Sequence, residues 1–263
     1  MNLAGRTVLL TGATGGLGHA IARRLRAEGC ELVLTGRRTD VLGPLAAETG
    51  ARSLAVDLTD AEAVARLAGE CADVDVLVSN AGLPGTGQLT SFSVEQLDRA
   101  LAVNLRAPMV LARELAVRMV ARRSGHLVFM SSLAGKVGPP RGSVYSATKF
   151  GLRGFAQSLR EDLRPSGVGV SAIFPGFVRD AGMFHDTGTK LPPGLGTVAP
   201  DAVAEAVVRA IERNRGEIVV APVSLRAGAI AAGVAPDLAA AVSRRLGGTG
   251  VAEQHVAMQK DKR

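Results

Sequence analysis

Tryptophan is absent from this 263-residue chain, tyrosine occurs once, and aromatic residues make up only 3% of it. A chain so short of flat stacking surfaces, and without a concentrated basic stripe, is not built to bind nucleic acid, even at a net charge of +7. The positive balance comes mostly from arginines spread along the chain, with only the final KDKR forming a charged cluster. Such dispersed charge fits an anionic ligand or acidic substrate weakly. The two cysteines, Cys30 and Cys71, stand far apart at no metal or redox spacing, so no metal is expected. They read as two small buried thiols in a reducing compartment. No uninterrupted run of about 18 apolar residues occurs, and MNLAGRTVLL enters a strand-like run without room for a signal peptide. The expectation is a cytoplasmic protein.

What is present is a regular alternation of apolar runs with amphipathic segments. Strands are expected at 6–11, 31–35, 51–56, 74–79, 126–131, 167–174 and 216–222. Helices are expected after the glycine cluster GATGGLG, at 38–49, at 60–72, from about Val94 to Arg122 broken or bent where Pro108 falls, from Ser143 to Leu163, and at 199–213. Strict strand–helix alternation with right-handed crossovers forces a doubly wound α/β fold of Rossmann type, a parallel seven-stranded sheet with helices on both faces. Residues 1–248 are expected to form one domain, with 249–263 a disordered polar tail. Ligands of such sheets bind at the carboxyl ends of the strands, where the strand order reverses.

The turn Thr11-Gly12-Ala13-Thr14-Gly15-Gly16-Leu17-Gly18 follows a strand and opens a helix. There the helix N-terminus offers free N–H groups to a pyrophosphate, and missing side chains let the backbone approach it. The spacing is TGxxxGxG, and with it the chain resembles the short-chain dehydrogenase/reductase family. The resemblance implies a dinucleotide on Gly12, Thr14, Gly15, Gly16, Leu17 and Gly18. It further implies adenine contacts from Asp57 and Leu58 in "VDL", and cofactor contacts from Asn80, Ala81 and Gly82 in "NAG" and from Pro175-Gly176 after the sixth strand. Ser79 stands where the family commonly has a first asparagine. An acidic residue at the end of the second strand would bind the ribose hydroxyls of NAD, but that position is Gly36, followed by Arg37 and Arg38. Guanidinium groups suit a 2′-phosphate, so NADP(H) is expected over NAD(H).

Tyr145 and Lys149, one of five lysines, are four apart and share a helical face. A phenol near pKa 10 is a poor acid or base at neutral pH, and an adjacent ammonium would lower that value. Alone, YxxxK is a weak motif. The family resemblance adds Ser132 in "MSSLAG" as the group that binds the substrate carbonyl oxygen, favoured over its neighbour Ser131 by spacing. It adds Asn104 in "LAVNL" as the holder of a water on the lysine, where asparagine would otherwise read as an ordinary mid-helix polar residue. Tyr145 and Lys149 would also contact the cofactor, the lysine through the nicotinamide ribose.

On the substrate side, residues at about 179–197 carry too many Gly and Pro for a regular helix and read as a lid. Phe177, Met183 and Phe184, with Leu133 and Val137, are candidates for an apolar wall or for ordinary packing, and His185 reads as a solvated loop residue. Asp180 occupies the place of a threonine that in the family contacts the cofactor carboxamide. The small apolar segment 223–246 reads as core or subunit packing, with contact to a membrane surface through Arg244 and Arg245 less favoured. By resemblance a homodimer or homotetramer is expected. The leading reading is reduction of a ketone or aldehyde, or oxidation of an alcohol. The competing readings are an oxidative NAD-dependent alcohol dehydrogenase and a cofactor sensor without chemistry, which would not need Ser132, Tyr145 and Lys149 together.

Overall fold

The computed structural model describes residues 1–188, 191 and 195–245. The apolar run after Arg6 forms β1 (Thr7–Leu10), and the glycine turn leads into α1 (Gly16–Ala27), which turns Ile21, Ala22 and Leu25 inward. Next come β2 (Glu31–Gly36), α2 (Thr39–Thr49), β3 (Arg52–Ala55), α3 (Ala61–Glu70) and β4 (Val76–Ser79). Asp60 starts α3 by accepting the Glu62 and Ala63 N–H groups, a cap worth about 1 kcal/mol. The second half runs α4 (Val94–Leu101), α5 (Ala107–Ala121), β5 (His126–Met130), α6 (Ser143–Leu163) and β6 (Gly169–Pro175). It closes with α7 (Gly182–His185), α8 (Pro200–Glu212), β7 (Glu217–Val220), α9 (Val223–Val234) and α10 (Pro236–Arg245).

All seven strands are parallel, in the order β3-β2-β1-β4-β5-β6-β7. Leu10 of β1 pairs with Leu34 of β2 on one side and Val78 of β4 on the other. The order reverses here, and the crevice between the β1 and β4 ends is the ligand position of such sheets. Alternate strand residues feed two cores. Val8, Leu10, Val76 and Val128 pack with Ile21, Leu25, Val207 and Ile211 on one face, while Leu9, Leu77, Leu127 and Phe129 pack with Leu67, Leu111, Leu115 and Leu152 on the other. Phe129 and Phe174 are fully buried, each stabilising the sheet by roughly 1.5–3 kcal/mol.

Three local expectations gain detail. The helix across Pro108 is not broken there: α4 passes into α5 through a π-helical turn, Ala102–Arg106, with Ala107 N–H bonding the Ala102 carbonyl. Proline has no N–H to give the Asn104 carbonyl, and the chain absorbs this by widening the preceding turn. The 179–197 segment holds one helical turn, α7, where Ala181 enters in extended backbone. The 223–246 segment forms two helices meeting at Ala235-Pro236, with Val223, Ile230, Val234 and Leu238 exposed rather than packed in the core. The expected tail, and residues 189, 190 and 192–194 of the lid, lie outside the described residues. No helix among the described residues is long and apolar enough to cross a membrane.

Candidate active site

The glycine turn is held by Thr11, whose side chain the sequence reading did not single out. Its hydroxyl accepts the Asn80 and Ala81 N–H groups, each at 3.1 Å, and Asn80 Nδ2 donates back to the Thr11 and Gly12 carbonyls at 3.1 and 3.2 Å. The ends of β1 and β4 are thereby stitched together at the point of strand-order reversal. Gly12 has a φ of 67°, and a Cβ there would stand 2.6 Å from Ala81 Cα, so both conformation and space demand glycine. Among the turn residues, Gly15 precedes α1 as its cap without a side-chain hydrogen bond, and Gly15 and Gly16 are exposed. The first-turn N–H groups of α1 are thus free of any side-chain cap, as an anion site requires.

At the end of β2, a Cβ on Gly36 would fall 2.5 Å from Thr14 Cγ2, which leaves no room for an acidic side chain. Arg37 and Arg38 are exposed there, and Arg38 donates to the Thr14 carbonyl, across the glycine turn. Leu58 is buried and Asp57 is exposed. Burial pushes the Asp57 carboxyl up, but the Thr59 N–H and hydroxyl and the charges of Arg37 and Arg99 outweigh this and hold it below its usual range.

At the other edge of the crevice, α6 presents Tyr145 and Lys149 one turn apart, the Lys149 Nζ 5.6 Å from the phenol ring centre. The helix docks through Gly85, whose carbonyl accepts the Tyr145 N–H at 3.1 Å and where a Cβ would collide with that same nitrogen at 2.9 Å. No sequence signal marked Gly85. Ser131 and Ser132 diverge at the end of β5. Ser131 is buried and its hydroxyl donates to the Lys149 carbonyl at 3.1 Å, whereas Ser132 is half-buried, its hydroxyl accepting the Ala134 N–H at 3.2 Å and standing near enough to the Tyr145 phenol to favour its ionised form.

Electrostatics here depart from the expectation that the lysine lowers the phenol. Desolvation pushes Tyr145 up to about 12, with the Ser132 hydrogen bond opposing it. Lys149 is 3% exposed, and burial brings it down to about 8. Its Nζ donates to the Met130 carbonyl at 2.8 Å, the last residue of β5. The phenol therefore keeps its proton at neutral pH, and the lysine's value lies close to that range.

Asn104 is fully buried in the π-helical turn. Its Oδ1 accepts the Leu83 N–H at 2.7 Å, and its Nδ2 donates to the Leu83 carbonyl at 2.9 Å and to Thr148 Oγ1 at 3.3 Å. Its amide thus locks the segment after Gly82 to α6, and the widened turn separates its carbonyl from an α-helical partner. Beyond Pro175-Gly176, where the Gly176 N–H bonds the Val220 carbonyl at 2.9 Å, residues 177–188 return over the crevice. Ala181 packs against Gly16, and Met183 Cε approaches Gly82. Phe177 and Phe184 pack with ring centres 4.8 Å apart, Leu133 and Leu225 converge on Gly176, and His185 is exposed. Among the described residues no group of His, Cys, Asp and Glu could hold a metal ion.

A seven-stranded parallel sheet, a glycine turn at its reversal point and a Ser–Tyr–Lys cluster beside it define a dinucleotide-dependent oxidoreductase. The chain belongs to the short chain dehydrogenase family, whose sequence profile matches residues 6–191. It is 37% identical over 227 residues to the ketoacyl reductase HetN of Nostoc sp., covering 83% of this chain and 79% of that protein. It is 39% identical over 186 residues to nodulation protein G of Rhizobium sp., covering 68% and 76%. Among solved structures, a short-chain dehydrogenase from Sphingobium yanoikuyae in complex with NADPH superposes with a TM-score of 0.77 at 29% identity, covering 86% of this chain and 92% of that one.

Proposed function

We propose that this protein reduces a ketone or aldehyde to an alcohol, or runs the reverse, with NADP(H) as cofactor and Tyr145 as the acid. The observation that carries the reading is the convergence of Ser132 and Lys149 on the phenol beside the glycine turn. The dinucleotide fits the residues present: Gly12, Gly16 and Gly18 leave no room for a Cβ and the first turn of α1 is uncapped. The pyrophosphate would lie on Gly12, Gly15, Gly16, Leu17 and Gly18, with Asp57 and Asn80 flanking the adenosine side. The filled space at Gly36 and the paired arginines 37 and 38 support NADP(H) over NAD(H).

When bound, the nicotinamide supplies a hydride to the carbonyl carbon. Ser132 holds the carbonyl oxygen, and Tyr145 gives that oxygen its proton as negative charge develops there. Lys149 sits where it can return a proton to the phenolate, since its own value is brought down to about 8. Asn104 keeps the Gly82 segment and α6 in fixed relation. The apolar residues Leu133, Phe177, Phe184 and Leu225 favour a substrate with a hydrocarbon portion. An exposed apolar groove of Met109, Val117, Val120, Phe155 and Leu159 on the α5–α6 face supports a dimer or tetramer built by helix pairing.

The test is loss of NADPH absorbance over a panel of ketones that includes β-ketoacyl thioesters, the chemistry the name of HetN suggests. Tyr145→Phe should abolish turnover while leaving NADPH affinity nearly intact. Inertness across the panel with NADPH bound would favour a sensor instead.

A further inference from the structure

Glu217, the first residue of β7, lies in none of the motifs above. Its carboxylate takes three donors: Lys136 Nζ at 2.5 Å, Arg153 Nε at 2.8 Å and Gln157 Nε2 at 2.9 Å. Lys136 closes the short turn Leu133–Gly135 that begins at Ser132, its N–H bonding the Leu133 carbonyl at 2.8 Å. Arg153 and Gln157 follow Lys149 on α6 at successive turns. One carboxylate on the sheet edge therefore bridges the segment carrying Ser132 and the helix carrying Tyr145 and Lys149.

Exposed ion pairs contribute little, because solvent screens them and long side chains must be ordered. This one is different in degree. Lys136 and Glu217 are 14% and 26% exposed, and the Phe174 ring lies beneath both cations, 4.2 Å from Lys136 Nζ and 5.8 Å from the Arg153 guanidinium carbon. Burial would raise the Glu217 carboxyl, but the Arg153 and Lys136 hydrogen bonds outweigh it and hold the group charged. At its other end the same segment is tied to α6 by the bond from Ser131 to the Lys149 carbonyl. Ser132 thus sits between two anchors, one at Ser131, whose N–H also bonds the Ile173 carbonyl at 2.8 Å, and one at Glu217.

We infer that Glu217 is a positioning residue, which through Lys136 sets the Ser132 hydroxyl against the Tyr145 phenol. The inference rests on the proposed roles of Ser132 and Tyr145. Its test does not need turnover, because the chain has a single tyrosine. Labelling tyrosine with 13C at Cζ gives one resonance, belonging to Tyr145. In Glu217→Gln and in Lys136→Met that resonance should move and its alkaline titration should shift upward, because the Ser132 hydrogen bond that lowers the phenol's pKa is loosened. Turnover should fall about 10- to 100-fold in kcat, with the KM for NADPH unchanged, and Glu217→Asp should recover most of it. The double variant should be no worse than Glu217→Gln alone, since both act on one link. Should Glu217→Gln fail to fold, Lys136→Met, which keeps the Arg153 pair, carries the same readouts. A folded variant with the wild-type resonance, titration and kcat overturns the inference and leaves Glu217 a staple of the sheet edge. Absence of turnover in the wild type would instead overturn the functional reading, while the resonance still decides the part played by Glu217.

Discussion

Because the chain holds one tyrosine and no tryptophan, the ionisation of Tyr145 can be read directly from near-ultraviolet absorbance. The perturbation is a rapid jump to about pH 11, midway between the ordinary phenol value and the one burial imposes. With the phenol pushed up to about 12, roughly a tenth should ionise at once, whereas an unperturbed phenol would be about nine-tenths ionised. The remaining signal should grow only as the chain unfolds. The linkage has a definite sign. A phenol with a raised folded value stabilises the fold below pH 10, and that contribution is lost as pH rises toward 12, about 3 kcal/mol in all. Lys149, brought down to about 8, is already neutral at this pH, so Lys149→Met should leave the burst unchanged despite sitting 5.6 Å from the ring. Were the lysine still charged, its removal would cost the phenolate roughly 3 kcal/mol at an effective dielectric near 20, and the burst would all but vanish. A burst near nine-tenths, or one that disappears in Lys149→Met, would refute the ordering of the two groups.

Arg38→Ala should weaken NADPH binding about 10- to 100-fold, the loss of one charged hydrogen-bonding group, and leave NADH binding nearly unchanged in fluorescence titrations. His126 is brought down to about 3, first by burial and then by the N-terminal and Arg160 charges. Between pH 6.5 and 3 the unfolded chain takes up a proton that the folded one refuses, so stability should fall by about 5 kcal/mol across that window. Urea unfolding in a pH series should show this, and His126→Gln should flatten it. Gly12→Ala, with its Cβ 2.6 Å from Ala81 Cα, should destabilise the fold by about 1–3 kcal/mol and abolish cofactor binding. Gly69→Ala in α3 meets nothing within 4 Å and should stabilise it by roughly 0.5–1 kcal/mol, both read by thermal unfolding.

The seven strands were legible because apolar runs alternate with amphipathic segments and end at glycine or proline, all of them local signals. Tyr145 and Lys149 were legible through helical spacing, and Ser132 through family resemblance. The contacts that hold these groups were not. Gly85 under Tyr145 and the Met130 carbonyl on Lys149 are set by how α6 crosses the sheet, which no periodicity encodes. Glu217 and Lys136 are 81 positions apart, and an ion pair at that range leaves no pattern in either neighbourhood. The π-helical turn escaped because Pro108 signals only that the ladder is interrupted, not which turn widens. The raised phenol escaped because spacing reports that a lysine is near, while burial decides whether it keeps its charge.

The stitch between Thr11 and Asn80 also bears on how the molecule assembles. Those residues are 69 positions apart, and closing a loop of that length costs about 4 kcal/mol of chain entropy before any contact rewards it. Neither half of the crevice exists in a partly formed sheet, because β2, α2, β3 and α3 must all be traversed before β4 can lie beside β1. A nascent or truncated chain ending before Val76 therefore has a glycine turn but no partner strand to shape it. Added dinucleotide would then act on the finished sheet and slow its opening, rather than hasten its formation.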